Sequence, residues 1–371
     1  MEKVSGKKPT ITDVAVRAGV SIATVSRVLN RTGAVEEALR NQVETAAREL
    51  SYIPNRYARA MRRNSSFHSK EKRIVGVILP IVANSFFSHI LEQISKSANE
   101  KGIQIVLFSC HGDTGKEISC IESAFETGID GLLYCPSTDK DAEKLFDYFP
   151  RDFPIVIFYR RDIIKGIPHI FYDNEQGGYL ATKYLLHQGR RGIAFFGSFW
   201  FNISEKEMNL LDMLNHKKSG AHTALDRLSG YVRALKEYDV TLQEELLLPM
   251  TGFGFEAGKK SAKDFLSRIC NFDAVLCSND EVAAGVISVL QEQNYSVPDS
   301  VSVIGFDDLS FATAIRPMLT TVRQDPNILG EGAMEMINTL MKGEKLSDQC
   351  IEMSLVIRDS TAVKKNPGEW K

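Results

Sequence analysis

The residues of this 371-residue chain that could do chemistry fall into two sets. The first lies near the start, where Ile22, Ala23, Thr24, Ser26 and Arg27 share the outer side of a helical stretch whose inner side is Val25, Val28 and Leu29. A guanidinium flanked by methyls and hydroxyls suits recognition of a partner rather than the making of bonds. The second set follows a series of apolar runs: Asn84-Ser85-Phe86-Phe87, Tyr159-Arg160, Phe253, Ser278-Asn279-Asp280 and Phe306-Asp307-Asp308. Aromatic rings mixed with Asn, Asp and Arg are what a polyol site needs. Catalytic spacing is missing: the sequence holds no HExxH, GxSxG or P-loop, and its seven histidines are scattered. Gly252-Phe-Gly254 and Gly177-Gly178 are too sparse for a dinucleotide fingerprint. The six cysteines have neither metal-ligand spacing nor a CxxC, so reduced thiols are expected. No enzyme, cofactor or metal site is predicted.

The elements that position the first set are short helices. Thr10-Ile11-Thr12-Asp13 has the spacing of a capping box and predicts a helix running to Ala18, with Gly19 as its left-handed stop. Ser21 can cap a second helix, Ile22 to Leu29, and a third, about 36–50, carries Leu39, Val43, Ala46, Ala47 and Leu50 at three-four spacing. Two short helices around Gly19-Val20-Ser21 spell helix-turn-helix. Charge agrees: up to residue 73 there are 15 basic and 7 acidic residues, leaving 30 and 40 after it, so a head of +8 precedes a body of −10. A basic head on an acidic body calls for a polyanionic partner. After it, Pro54 to Arg63 reads as a short basic helix, too short to persist unaided, followed by a polar linker.

The second set sits on alternating strands and helices. Ile74–Leu79, Ile103–Phe108, Gly131–Tyr134 and Ile155–Phe158 read as one series of strands, and Ile193–Phe196, Ala274–Cys277 and Val301–Ile304 as another. Helical segments such as Gly178–His187 and Val282–Gln291 separate them, which implies parallel, doubly wound sheets in two similar lobes. In such sheets ligands sit outside the carboxyl ends of the strands, where the second set lies. No apolar run reaches the roughly 20 residues that span a bilayer, and the polar start lacks an export signal, so a cytoplasmic protein with no membrane partner is expected.

The motifs Thr10-Ile-Thr-Asp-Val-Ala, Ala18-Gly-Val-Ser, Thr24-Val-Ser-Arg-Val-Leu-Asn30 and Pro54-Asn55-x-x-Ala58-Arg59 resemble those of the LacI/GalR repressors. Asp173-Asn-x-x-Gly177-Gly, Asn279-Asp280-x-x-Ala283, Gly305-Phe-Asp-Asp308 and Leu319-Thr-Thr-Val-Arg-Gln324 extend the resemblance over nearly the whole chain. The fold it implies is a small all-α helix-turn-helix head plus an α/β body of two doubly wound parallel-sheet lobes, similar to periplasmic sugar-binding proteins. The expected domains are a head at 8–53, a hinge at 54–72 and a body at 73–371. Its first lobe takes about 73–172 and 326–353, its second about 173–325 and 354–371. The implied function is transcriptional repression by a homodimer on a pseudopalindromic operator in double-stranded DNA, controlled by a small-molecule effector of carbohydrate type. Ile22, Ala23 and Arg27 fall at positions that read bases, the first two suiting thymine methyls and the guanidinium the edge of guanine. Thr10, Ser21, Thr24, Ser26 and Asn30 would hold phosphates, or in part serve as caps. Asn55, Ala58 and Met61 belong to the hinge, with Met61 as the apolar wedge in the minor groove. The family's effector contacts fall on Phe87, Arg160, Phe253, Asn279 and Asp307, while Asp280 and Asp308 are alternatively helix caps.

Two departures from the family pattern stand out. Where relatives carry an Arg in a Ser/Thr-Ala-Arg segment, this chain reads Thr223-Ala224-Leu225, with Arg227 further on, which predicts the loss of a bidentate donor. It also leaves open an alternative in which a phosphorylated carrier protein is the corepressor. The other departure is a polar stretch at 202–222, expected as a lid or a solvated insertion. A sugar-binding protein without regulatory function is a more distant alternative, disfavoured by the head. No heptad tail follows Val356-Ile-Arg-Asp359, so a dimer rather than a tetramer is expected.

Overall fold

The computed structural model describes residues 10–30, 35–50, 73–137, 142–199, 214, 223–268 and 271–364. The hinge residues Asn55, Ala58 and Met61 and, apart from Leu214, the 202–222 stretch lie outside them. The chain divides into two compact units, Met1–Lys70 and Glu71–Lys371.

The head unit contains helices α1 (Ile11–Arg17), α2 (Ile22–Asn30) and α3 (Glu37–Glu49). Thr10 and Asp13 form the expected capping box, Thr10 taking the Asp13 amide while the Asp13 carboxylate takes the Thr10 amide at 2.6 Å. Gly19 has φ of +62°, the left-handed turn that ends α1 and that a side chain rarely adopts. Ser21 then starts α2 by accepting the Thr24 amide at 3.1 Å. Val14, Ala15, Ala18, Val25, Val28, Val43, Ala46 and Ala47 form the core of this unit. Helices of two turns hold only because each buries its apolar side against the other two.

The body unit is built on two six-stranded sheets. In the first the order is β11 (Gln349–Ile351), β5 (His169–Tyr172), β4 (Ile155–Phe158), β3 (Gly131–Tyr134), β1 (Ile74–Leu79) and β2 (Gln104–Ser109). In the second it is β12 (Ser354–Val356), β10 (Thr320–Arg323), β9 (Ser302–Asp307), β8 (Ala274–Cys277), β6 (Ile193–Phe199) and β7 (Leu247–Thr251). Every pairing is parallel except β10 with β12, which is antiparallel. Central strands such as β3, β4, β8 and β9 are buried along their whole length. Both faces are covered by helices, so apolar runs rather than alternation mark them in the sequence. The strands absent from the sequence reading, β5, β7, β10, β11 and β12, are short or lie toward one edge of a sheet.

The membership of the sheets means that the chain passes between the lobes three times, after β5, after β10 and between β11 and β12. These passages are tied together: the Tyr172 hydroxyl donates to the Asp325 carbonyl at 2.6 Å, and the Asp173 amide to the Ile351 carbonyl at 3.1 Å.

In the second lobe the helix Asn174–His187 packs against the helix Thr223–Glu237 through paired glycines. A methyl on Gly230 would overlap the Glu175 carbonyl, and one on Gly178 would overlap the Arg227 carbonyl. The two backbones therefore touch at Arg227 and Gly230 of the second helix. Gly230→Ala is expected to destabilise the body by about 1–3 kcal/mol through overpacking and to lower the melting temperature. An unchanged melting temperature would show that the crossing yields.

Candidate effector cleft and recognition helix

The cleft lies where the carboxyl ends of the two sheets meet. It is lined by Asn84, Phe86, Phe87 and Tyr159 from the first lobe. Ser198, Thr223, Ala224, Arg227, Phe253, Ser278, Asn279 and Asp307 line it from the second. Four of the five sequence-selected effector residues, Phe87, Phe253, Asn279 and Asp307, thus share one cavity. Arg160 does not line it; it lies buried at 2% exposure, with its guanidinium 5.4 Å from the centre of the Tyr159 ring.

The aromatic wall is rigid. Phe87 meets Tyr159 edge-on at 5.1 Å between centroids, and Phe86 packs against both Tyr159 and Tyr172. Tyr159 adopts φ of +68°, and Asp307 and Asp308 adopt +108° and +58°. Left-handed backbone at non-glycine residues is strained, and these three lie at the ends of β4 and β9.

Each polar group has a distinct setting. Asn279 caps the helix Asp280–Glu292, its Oδ1 accepting the Val282 amide at 2.8 Å and its Nδ2 donating to the Phe253 carbonyl at 2.8 Å. The residue selected as a ligand contact is also the cap that fixes Phe253. Asp280 and Asp308 are not helix caps. Asp280, fully buried, accepts from the Thr321 hydroxyl at 2.5 Å and the Leu309 amide at 2.8 Å, joining the start of its helix to β10 and the loop after β9. Asp308 is held by Arg323 at 2.7 Å and Arg358 at 2.5 Å. Only Asp307 of the three presents its carboxylate to the cleft, steadied by Gln324 Nε2 at 2.6 Å.

The expected loss of the arginine fork does not occur. Leu225 is turned into the core at 2% exposure, whereas Arg227, two residues on, lines the cleft. Its Nε donates to Asn174 Oδ1 at 2.8 Å, its Nη1 to the Ser278 carbonyl, and its guanidinium stacks 4.1 Å from the Phe306 centroid. Arg227 is the main residue that the sequence reading passed over. The signal that could have found it is its position three residues before Gly230, the glycine at which the two helices touch.

Two polar contacts bridge the lobes beside the cleft: Arg161 to Asp226 at 3.2 Å and the Ser85 hydroxyl to Glu281 at 2.5 Å. Among the described residues no group of His, Cys, Asp and Glu could hold a metal ion. No described helix is long and apolar enough to cross a membrane. Cys110, Cys135 and Cys277 are buried thiols, whereas Cys350 is exposed.

On the head, Ser21, Ile22, Ala23 and Arg27 are exposed and Thr24 and Ser26 half-exposed, while Val25 and Val28 face inward. Ile22 is 44% exposed, an apolar side chain offered to a partner on a helix only nine residues long. The Thr10 hydroxyl is engaged by Asp13 at 2.7 Å, and those of Ser21 and Thr24 bond each other at 2.9 Å.

A helix-turn-helix head and a two-lobed body with a polar, aromatic cleft define a ligand-binding regulator of DNA. The comparisons make this specific. Residues 10–55 match the profile of bacterial regulatory proteins, lacI family, and residues 182–361 that of the periplasmic binding protein-like domain. The chain is 32% identical over 354 residues to the HTH-type transcriptional regulator RegA of Clostridium saccharobutylicum, covering 95% of this chain and 99% of that one. It is 31% identical to the HTH-type transcriptional repressor PurR of Vibrio vulnificus (strain CMCP6), covering 95% and 98%. The crystal structure of the lac repressor dimer bound to operator and the anti-inducer ONPF aligns with a TM-score of 0.67 at 26% identity, over 96% of this chain and 100% of that one. The chain belongs to the LacI family and is a DNA-binding transcriptional repressor with a ligand-binding domain.

Burial pushes the Asp307 carboxyl up to about 7, with Arg227 and Gln324 pulling the other way. Burial, and after it the neighbouring Asp307 charge, also holds the Asp280 carboxyl well above the usual carboxylate range. The unfolded carboxyl titrates near about 4, so the protonated form favours the fold. That contribution is fully present below about 4 and lost as pH rises through about 7. Denaturant stability of the full-length protein should therefore fall between about pH 4 and 7, and Asp307→Asn should flatten the fall. An identical slope in the variant would place the titration elsewhere.

Proposed function

We propose that the protein is a cytoplasmic homodimer that reads a pseudopalindromic operator in double-stranded DNA and changes its grip when a small polyol of carbohydrate type enters the cleft. The observation that carries this reading is the meeting of Phe87, Phe253, Arg227, Asn279 and Asp307, drawn from both lobes, around one cavity. Apolar faces suit the carbon side of a sugar ring, and a guanidinium, an amide and a carboxylate suit its hydroxyls. The domains in this reading are the head at 8–53, the hinge at 54–72 and the body at 73–371 with the two lobes given above.

A ligand touching both lobes favours their closure by its differential affinity for the closed form. Hinge segments too short to fold singly order only when two subunits present them at the right separation, so closure of the body changes DNA affinity. On DNA, Ile22, Ala23 and Arg27 read bases, while Thr10, Ser21, Thr24, Ser26 and Asn30 serve the phosphate backbone. Asn55, Ala58 and Met61 keep the hinge roles that the family resemblance gives them. The motive for a phosphorylated carrier protein as corepressor was the missing arginine, and Arg227 removes it.

Enrichment of random duplex DNA by the full-length protein at near-physiological salt tests the reading. A two-fold symmetric consensus is expected. Arg27→Ala should weaken binding about 10- to 100-fold and relax one position in each half-site, with the melting temperature unchanged because the side chain is exposed. A consensus without symmetry would sink the dimeric reading, and an unaltered consensus in the variant would remove Arg27 from base contact.

A further inference from the structure

Histidine is the side chain whose ordinary titration lies closest to neutral pH, and among the described histidines only His169 is buried, at 3% exposure. It opens β5 directly after the loop 159–168, which serves both sides of the cleft. The Tyr159 ring lines the cleft, and Arg161 reaches across to Asp226 of the second lobe at 3.2 Å. The His169 ring is tied back into the same loop. Its Nε2 accepts the Ile163 amide at 3.3 Å, and its Nδ1 stands 3.5 Å from Asp348 Oδ1, which also takes the His169 amide at 2.8 Å. An Nε2 that accepts a hydrogen bond carries no proton, so the ring in this arrangement is neutral.

The loop depends on such ties. It consists of turns and bends, with left-handed backbone at Tyr159, Asp162 and Gly166, and strain of that kind persists only where surrounding contacts hold it. Protonation turns Nε2 from an acceptor into a donor and sets two N–H groups against each other at Ile163. The charged groups facing the ring are Asp348, just before β11, and Asp162 in the loop; β4, paired beside it, brings only apolar side chains. Both acids favour the charged ring, but Asp348 is 54% exposed at its side chain and its charge is screened by water. Burial outweighs them and holds the imidazole below its ordinary range.

We propose that His169 is an acid-sensitive latch: neutral, it pins the loop that presents Arg161 to Asp226, and protonated, it lets go of the Ile163 amide and frees that bridge between the lobes. The proton comes from solvent. The neutral ring favours the fold, so its contribution is fully present above the unfolded value of about 6.5 and is lost as pH falls through the lower folded value. Release therefore belongs to acid, below about pH 6.5. The consequence for DNA rests on the reading above that lobe closure sets DNA affinity; the latch itself does not.

The test compares full-length wild type with His169→Gln, whose side-chain oxygen can take the Ile163 amide without titrating, by small-angle X-ray scattering between about pH 7.5 and about 5.5. Carbon-13 NMR of histidine-labelled protein follows the ring alongside. The wild-type radius of gyration should change over the pH range in which one histidine resonance titrates, below about 6.5, and His169→Gln should lose both the resonance and the change. Asp348→Asn, at an exposed position, should keep the change but move its midpoint to lower pH, because a charge that favours imidazolium is gone; it keeps the test decisive if His169→Gln does not fold. Arg161→Met at about pH 7.5 should show the released scattering outright. Wild-type scattering that ignores pH, a His169→Gln protein that follows wild type, or an unmoved midpoint in Asp348→Asn would each overturn the latch. Binding of a duplex carrying the enriched consensus separates the latch from its consequence. Acid and Arg161→Met should shift Kd in the same direction, by about fivefold or more, and His169→Gln should remove the acid shift. A constant Kd beside changing scattering would support the latch and overturn the link between lobe closure and DNA.

Discussion

The backbones of Asn174–His187 and Thr223–Glu237 approach so closely that only glycine fits at 178 and 230. From that contact much of the second lobe's side of the cleft follows. It fixes the rotation of the second helix, which sends Leu225 into the core and Arg227 over the Phe306 ring toward the ligand space. It also brings Asn174 within reach of the Arg227 Nε, so the guanidinium is oriented before any ligand arrives. Side chains held in one rotamer by packing and hydrogen bonds bind without further ordering.

The residues at the strand ends around the cleft are positioned by a different device. Tyr159, Asp307 and Asp308 sit at strand ends with left-handed backbone, and the surrounding structure holds each of them there. Asp308 is anchored by two arginines and Asp280 by a hydroxyl and an amide, so both acids act as struts. Asp307 remains turned to the cleft between them. Three neighbouring carboxylates therefore have different work: two brace the scaffold, and the third meets whatever enters.

The lobes are coupled through three passages and two bridging contacts, Arg161 to Asp226 and Ser85 to Glu281. Exposed ion pairs contribute little, but Asp226 is only 4% exposed at its side chain, so its pairing counts for more.

The sequence by itself determined the local elements and the class of protein. Thr10 with Asp13, Gly19 and Ser21 wrote the helix-turn-helix, because caps and left-handed turns depend on neighbours a few residues away. Strands such as β1, β3, β4 and β8 were legible from unbroken apolar runs, and four of the five residues singled out by the family resemblance line the one cleft. Edge strands β11 and β12, three residues each and partly exposed, carried no such run. Tertiary structure alone decided that Arg227, and not position 225, faces the cleft. Leu225 and Arg227 lie about 200° apart around the helix, and only the docking of that helix at Gly178 and Gly230 says which of the two points inward. The same holds for the acids: Asp280, Asp307 and Asp308 are alike as residue types, and their partners come from segments distant in the chain. Local periodicity can place a side chain on a helix or at a strand end, but which neighbour it meets there is settled by packing between elements.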